Sequence, residues 1–186
     1  MVRKAAARAL FLLSASLVAA GASAQQQQTP PPGNAPPMQS PYLTPIGASV
    51  TLDVAKKAVA AAAAEAKKNG WLMAFAVVDP AGTLVYYEKT DNTQLGSANV
   101  AVDKARSAAL YKRPTKALQD ALAGGGAGLR ILALQGAVPV EGGLPLVQDG
   151  KLIGAIGASG DTSEHDGQCA QAGVQTLTAG TAAAHR

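Results

Sequence analysis

Apolar and polar positions change their period several times along this chain, and each change marks an element. Val54, Ala58, Ala61, Ala62 and Glu65 fall at helical spacing, Thr51 stands where an N-cap belongs, and Gly70 is a natural terminator. With Asp53 in the first turn and Lys67-Lys68 in the last, the charges also suit the helix dipole, and the pattern predicts a helix from about 51 to 69. Trp71 to Asp79 is a nearly continuous apolar run, Pro80-Ala81-Gly82 a turn, and Thr83 to Lys89 a strand with Leu84 and Tyr86 alternating against Val85 and Tyr87. Together they predict a hairpin. Ser97 to Lys112 returns to helical spacing through Val100, Ala101, Ala105, Ala108 and Ala109, Pro114 interrupts it, and Thr115 to Leu122 restarts as a short helix. A glycine-rich turn at 124–128 and a short apolar piece at 129–134 follow. Between Gly142 and Gly160 two apolar runs flank Asp149-Gly150, the dipeptide that supplies the positive φ angles of a type I′ turn. Glycines at 154, 157 and 160 leave room there for another backbone or a flat ligand. The last helix runs from about Ser163 to Thr178, with Ser163 and Asp166 in capping-box-like spacing. Hairpins joined by helices, with no alternating βαβ rhythm, predict an α+β fold: a single antiparallel β-sheet with helices packed on it.

The ends of the chain read differently. Arg3, Lys4 and Arg8 precede an apolar core from Ala9 to Ala20, and Ala22-Ser23-Ala24 supplies a small-residue cleavage pattern. That core is shorter than the roughly 18 residues a spanning helix needs, so 1–24 is expected to be a signal peptide and the mature protein periplasmic or secreted, with no membrane span. Residues 25–47 hold four consecutive Gln and seven Pro and almost no apolar residues, the composition of a disordered arm. The folded domain is expected over 48–183.

Removing the leader leaves thirteen basic residues against twelve acidic ones. A nearly neutral chain argues against nucleic acid, which demands a clustered cationic surface; Lys112, Arg113 and Lys116 read as a solvated helix end. Cys169 is the only cysteine, so no internal disulfide can form. The glycine strand is spaced G-x-x-G-x-x-G, not as a dinucleotide fingerprint, and Leu152 follows Lys151 where a phosphate-binding loop needs a hydroxyl. No Ser-His-Asp ordering, HExxH or CxxC is present, which weighs against an enzyme.

Several motifs in order resemble the GlcG/HbpS-like haem-binding family, also called the haem-degrading domain. They are Asp79-Pro80-Ala81-Gly82-Thr83-Leu84, Lys104-Ala105-Arg106-Ser107-Ala108-Ala109, the Gly142-Gly143-Leu144-Pro145 strand leading through Asp149-Gly150 to Gly154-Ala155-Ile156-Gly157-Ala158-Ser159-Gly160, and Asp166 with Ala170 to Gly173. The resemblance covers about residues 49 to 180. It implies a layered α/β/α, profilin-like arrangement, a homo-oligomer, and in some members binding of haem or a corrinoid. In a related corrinoid-enzyme domain it would place a haem-binding His on the first helix, but Thr51 to Asn69 contains none.

Haem iron takes His, Cys, Met or Tyr, which makes Tyr86, Tyr87 and His165 the candidates, His165 being also the candidate metal ligand. Core packing of the tyrosines and an exposed helix-start histidine are the competing readings. Cys169 and Met73 read as core, and His185 belongs to the terminus. Lys104, Arg106 and Ser107 lie on one helical turn, where they can meet a propionate or form a solvent-facing stripe. Asp161 and Glu164 at a helix start can touch a metal or simply suit the dipole. Three functions follow: a haem or tetrapyrrole binder, an enzyme acting on a small carboxylated metabolite at an oligomer interface lined by Lys104, Arg106, Asp79 and His165, or a structural oligomer without ligand.

Overall fold

The computed structural model describes residues 43–183, with side chains to residue 177. The expected leader, the arm as far as residue 42, and His185 lie outside the described residues. Helix α1 spans Leu52–Asn69, capped by the Thr51 hydroxyl, which accepts the Val54 N–H at 3.4 Å. It ends in a Schellman turn: Gly70 takes φ 74°, its N–H reaches the Lys67 carbonyl, and the Trp71 N–H reaches that of Ala66 at 2.9 Å. The turn delivers Trp71 to the end of the sheet. The buried face is Ala55, Ala58, Val59, Ala62 and Ala66, rotated from the predicted one so that Glu65 lies at its border.

Strands β1 (Ala74–Val78) and β2 (Leu84–Lys89) form the first hairpin, closed by Asp79, whose Oδ1 accepts the N–H groups of Ala81 and Thr83. Helices α2 (Ser97–Leu110) and α3 (Thr115–Ala123) follow, separated at Pro114, and the apolar piece that follows them lies within a 3-10 segment over Gly126–Ala133. Strands β3 (Gly143–Gln148) and β4 (Lys151–Ser159) form the second hairpin, with φ 49° at Asp149 and 71° at Gly150, as a type I′ turn requires. Helix α4 runs over Ser163–Ala183. The four strands pair antiparallel, in the order β2-β1-β4-β3.

Two cores flank this sheet. Phe75, Val77, Ile156 and Ala158 point toward α1 and α4, whereas Ala74, Ala76, Val78 and Ala155 meet the alanines of α2. The α/β/α layering expected from the motifs is therefore present. Alanine on α2 and glycine on β4 are complementary: a Cβ at Gly157 would run into the Ala101 carbonyl, so helix backbone lies directly on strand backbone. A neighbouring backbone likewise occupies the space beside Gly154 and Gly160, so the space at all three glycines is taken by protein.

The segment before α1 is also part of the sheet. β1 stops opposite Ala155, and along the flank of β4 that this leaves open, Pro45, Gly47 and Val50 make backbone hydrogen bonds of 2.8 Å to Leu152 and Ile153. Lys112, held at φ 51°, donates to the Thr44 carbonyl at 2.9 Å. Among the described residues no helix is long and apolar enough to cross a membrane.

Candidate functional site

Where β3 starts, the chain makes an unusual allowance for one side chain. Lys104, on the buried face of α2, extends past Gly142, at which a Cβ would lie 2.9 Å from its Nζ and 2.8 Å from the Asp166 Cβ. Gly142 also holds φ 126°, a conformation open to glycine and strained for other residues. Behind these atoms Lys104 Nζ donates to Asp166 Oδ2 at 2.6 Å and to the Ala158 carbonyl at 3.3 Å. The side chains are 1% and 4% exposed, and the pair joins α2 on one face of the sheet to α4 on the other. Burial pushes the Asp166 carboxyl above its ordinary range, and the Lys104 ammonium pulls it back.

Asp166 Oδ1 also accepts the backbone N–H of Asp161 at 3.3 Å. Asp161 in turn accepts the Thr162 N–H at 2.8 Å and meets His165 Nδ1 at 2.7 Å through the same oxygen, Oδ1. The hydrogen bond from His165 is the largest cause that holds the Asp161 carboxyl below its usual value. His165 lies in the first turn of α4, and its backbone N–H is capped by the Thr162 hydroxyl at 3.3 Å. Thr162, not Ser163, is thus the cap, and Asp166 serves the buried pair instead of a capping box. Trp71 lies parallel to the imidazole, ring centroids 4.0 Å apart and planes 14° apart.

The six residues expected to form a ligand site do not converge. Lys104 and His165 belong to one hydrogen-bonded chain through Asp166 and Asp161. Ser107 is buried, its hydroxyl accepting the Val138 N–H at 3.0 Å. Arg106 is exposed and donates to the Gly82 carbonyl at 3.1 Å, beyond the end of β1 opposite to Trp71. The solvent-facing stripe, one of the two readings of these three residues, is therefore split, because Lys104 and Ser107 turn inward. Tyr86 and Tyr87 are half-buried on opposite faces of β2. The Tyr86 hydroxyl donates to Glu88 at 2.9 Å, which raises its pKa, and burial raises that of Tyr87. Both shifts oppose a phenolate. Met73 is fully buried, and burial pushes the Cys169 thiol up to about 12. His185 lies outside the described residues.

Beside the buried pair, a cleft of about 440 Å³ is lined by Lys116, Glu141, Gly142, Leu144, Glu164 and Gln168. Gly167 makes room for the Glu141 side chain, whose carboxyl is raised chiefly by burial. Sequence reasoning did not find Trp71 as a site residue. The spacing of Asp161 and His165, four apart at a helix start, is a signal that was available; their stacking partner lies 94 positions away from His165, beyond any local pattern.

Residues 50–175 match the family described as haem degrading protein HbpS-like. GlcG of Escherichia coli K12 is 36% identical over 106 residues, 57% of this chain and 78% of that protein. Among solved structures, a double mutant of Streptomyces reticuli HbpS matches with a TM-score of 0.65 at 30% identity, covering 78% of this chain and 99% of the other. A structure described as a PduOC:Heme complex matches with a TM-score of 0.63 at 27% identity, covering 69% and 95%.

Proposed function

From a chain that belongs to the HbpS-like family of haem-degrading proteins, we propose a periplasmic or secreted protein that binds haem or a related tetrapyrrole or corrinoid and works as a homo-oligomer. The observation that carries this reading is the Trp71–His165–Asp161 arrangement, in a chain with a structural neighbour described as a haem complex. Metal-binding histidines ordinarily donate their second ring N–H to a carboxylate or carbonyl, and His165 has that partner. It is also the candidate donor left standing by its surroundings, since Tyr86 and Tyr87 are held away from the phenolate, Cys169 is a buried thiol and Met73 is sealed in the core.

The surroundings suit a flat apolar ligand. Trp71 flanks the imidazole, and Leu72, next in the chain, is 48% exposed. The last turn of α1, which leads into Trp71, carries Lys67 and Lys68 as partners for propionates. When bound, haem supplies an iron centre for redox or oxygen chemistry. A second copy would cover the face of the ligand that one protomer leaves open, and exposed Leu129 and Leu132 supply further apolar surface for assembly. Export is supported by the leader pattern at 1–24.

Hemin titration tests the reading. Wild type should give a Soret shift, His165→Ala should weaken binding at least tenfold, and Tyr86→Phe and Tyr87→Phe should bind as wild type. The absence of a Soret shift in wild type overturns haem binding; loss on the tyrosine substitutions instead of the histidine one moves the ligand to β2. Light scattering and intact mass of the exported protein report oligomer and leader cleavage.

A further inference from the structure

Asp161 and Glu164 both hydrogen-bond within the turn that starts α4, but it is Asp161 that meets the His165 ring. Its Oδ1 is fixed to the turn by the Thr162 N–H and meets His165 Nδ1 at 2.7 Å, while its own N–H is held by Asp166, which Lys104 clamps. The carboxylate is therefore anchored, within two hydrogen bonds, to a buried ion pair that joins both helical layers. A carboxylate can only accept, so a neutral His165 facing it carries its proton on Nδ1 and keeps its lone pair on Nε2. The Trp71 ring, stacked at 4.0 Å, restricts rotation of the imidazole about its side chain. The side chains of His165 and Asp161 are 38% and 36% exposed, so the ring remains reachable from solvent.

We propose that Asp161 is a positioning residue: with Trp71 it holds His165 as the Nδ1–H tautomer and so presents Nε2 as the donor to a haem iron. This rests on the haem reading for its ligand. The predisposition itself is a property of the protein alone. A carboxylate on Nδ1 also makes the imidazole a stronger donor, which favours ferric over ferrous iron. Ligation is thereby set by the β4–α4 turn, whereas the first helix has no histidine to offer.

The first arm of the test needs no haem. Nitrogen shifts of the His165 imidazole in the full chain, recorded on the neutral ring, should show Nδ1 protonated and Nε2 bare. Asp161→Asn should shift the population toward Nε2–H, Asp161→Glu should restore the wild-type pattern, and Glu164→Gln, which removes a charge from the same turn, should leave it unchanged. In the second arm, Asp161→Asn should lose about 10- to 100-fold in hemin affinity, with the ferric/ferrous midpoint shifted positive. Circular dichroism of each variant establishes that it is folded, and Trp71→Leu provides an independent perturbation that should broaden the tautomer population. A wild-type ring protonated on Nε2, or an Asp161→Asn ring indistinguishable from wild type, overturns the proposal whatever hemin does. A wild type that fails to bind hemin overturns the haem reading, and the tautomer result still decides the role of Asp161.

Discussion

Replacing Lys104 by methionine keeps the stem of the side chain and removes its charge, leaving the Asp166 carboxyl, 4% exposed, with backbone hydrogen bonds from Gly160 and, at 3.3 Å, from Asp161. Breaking one side of a buried ion pair costs about 3–5 kcal/mol, because the surviving charge is left without compensation. In a domain of this size that lowers the melting temperature by about 10 °C, at roughly 2–4 °C per kcal/mol. The cost depends on pH, and its sign follows from Asp166. A carboxyl whose folded pKa is raised carries no penalty where both folded and unfolded states are protonated; the penalty accumulates as pH rises from the unfolded value, about 3.9, through the folded one. Burial already raises Asp166 against the pull of Lys104, and removing Lys104 raises it further. The deficit of the variant should therefore grow from pH 4 toward pH 7. Urea unfolding followed by the fluorescence of Trp71, the one tryptophan in the chain, measures it at both pH values. Exchanging both partners, Lys104→Met with Asp166→Leu, should recover most of the loss, since an apolar pair of similar volume is often neutral or better. A single-variant loss under about 1 kcal/mol at pH 7, or a double variant that loses as much as the two singles added, would refute the assignment of this pair as a buried clasp.

Two glycines separate steric from conformational cost: Gly157→Ala drives a Cβ into the Ala101 carbonyl and should cost about 3 kcal/mol or abolish folding, whereas Gly150→Ala, with open space around it but φ 71°, should cost only about 1 kcal/mol. Chemical denaturation of both variants checks the order, and equal losses would contradict the close packing of α2 on β4. Lys112→Met should free Thr44 and speed proteolytic nicking over 44–47 while changing global stability by less than about 1 kcal/mol, as limited proteolysis and melting would show. Cys169, buried and with its thiol pushed up to about 12, should resist thiol reagents at neutral pH and react fully in denaturant; rapid labelling of the native protein would be inconsistent with its place in the core.

What could be read from the sequence and what could not divide along one physical line, the distance over which the determining interaction acts. The Thr51 cap, the Gly70 terminator and the Asp149-Gly150 turn are decided within four or five residues, and each is found where its local chemistry puts it. The buried face of α1 is legible only to within a fraction of a turn, because a run of alanines offers little contrast between inside and outside. Only the shape of the sheet selects the buried ones. Lys104 is the sharper case. A lysine on an alanine-rich helix belongs by default in water, and what turns it inward is Asp166, 62 positions later, through an opening made by Gly142. Each of these residues has an ordinary explanation alone: a solvated charge, a helix-start carboxylate, a glycine in a turn. The same holds for Trp71, which read as the first residue of an apolar strand until the Schellman turn at Gly70 and the cap at Thr162 brought it against His165. Both determinants are local, yet the stack they produce is not. A candidate site assembled this way follows from the fold, so its chemistry can be tested at Asp161 and Lys104 without touching the imidazole at all.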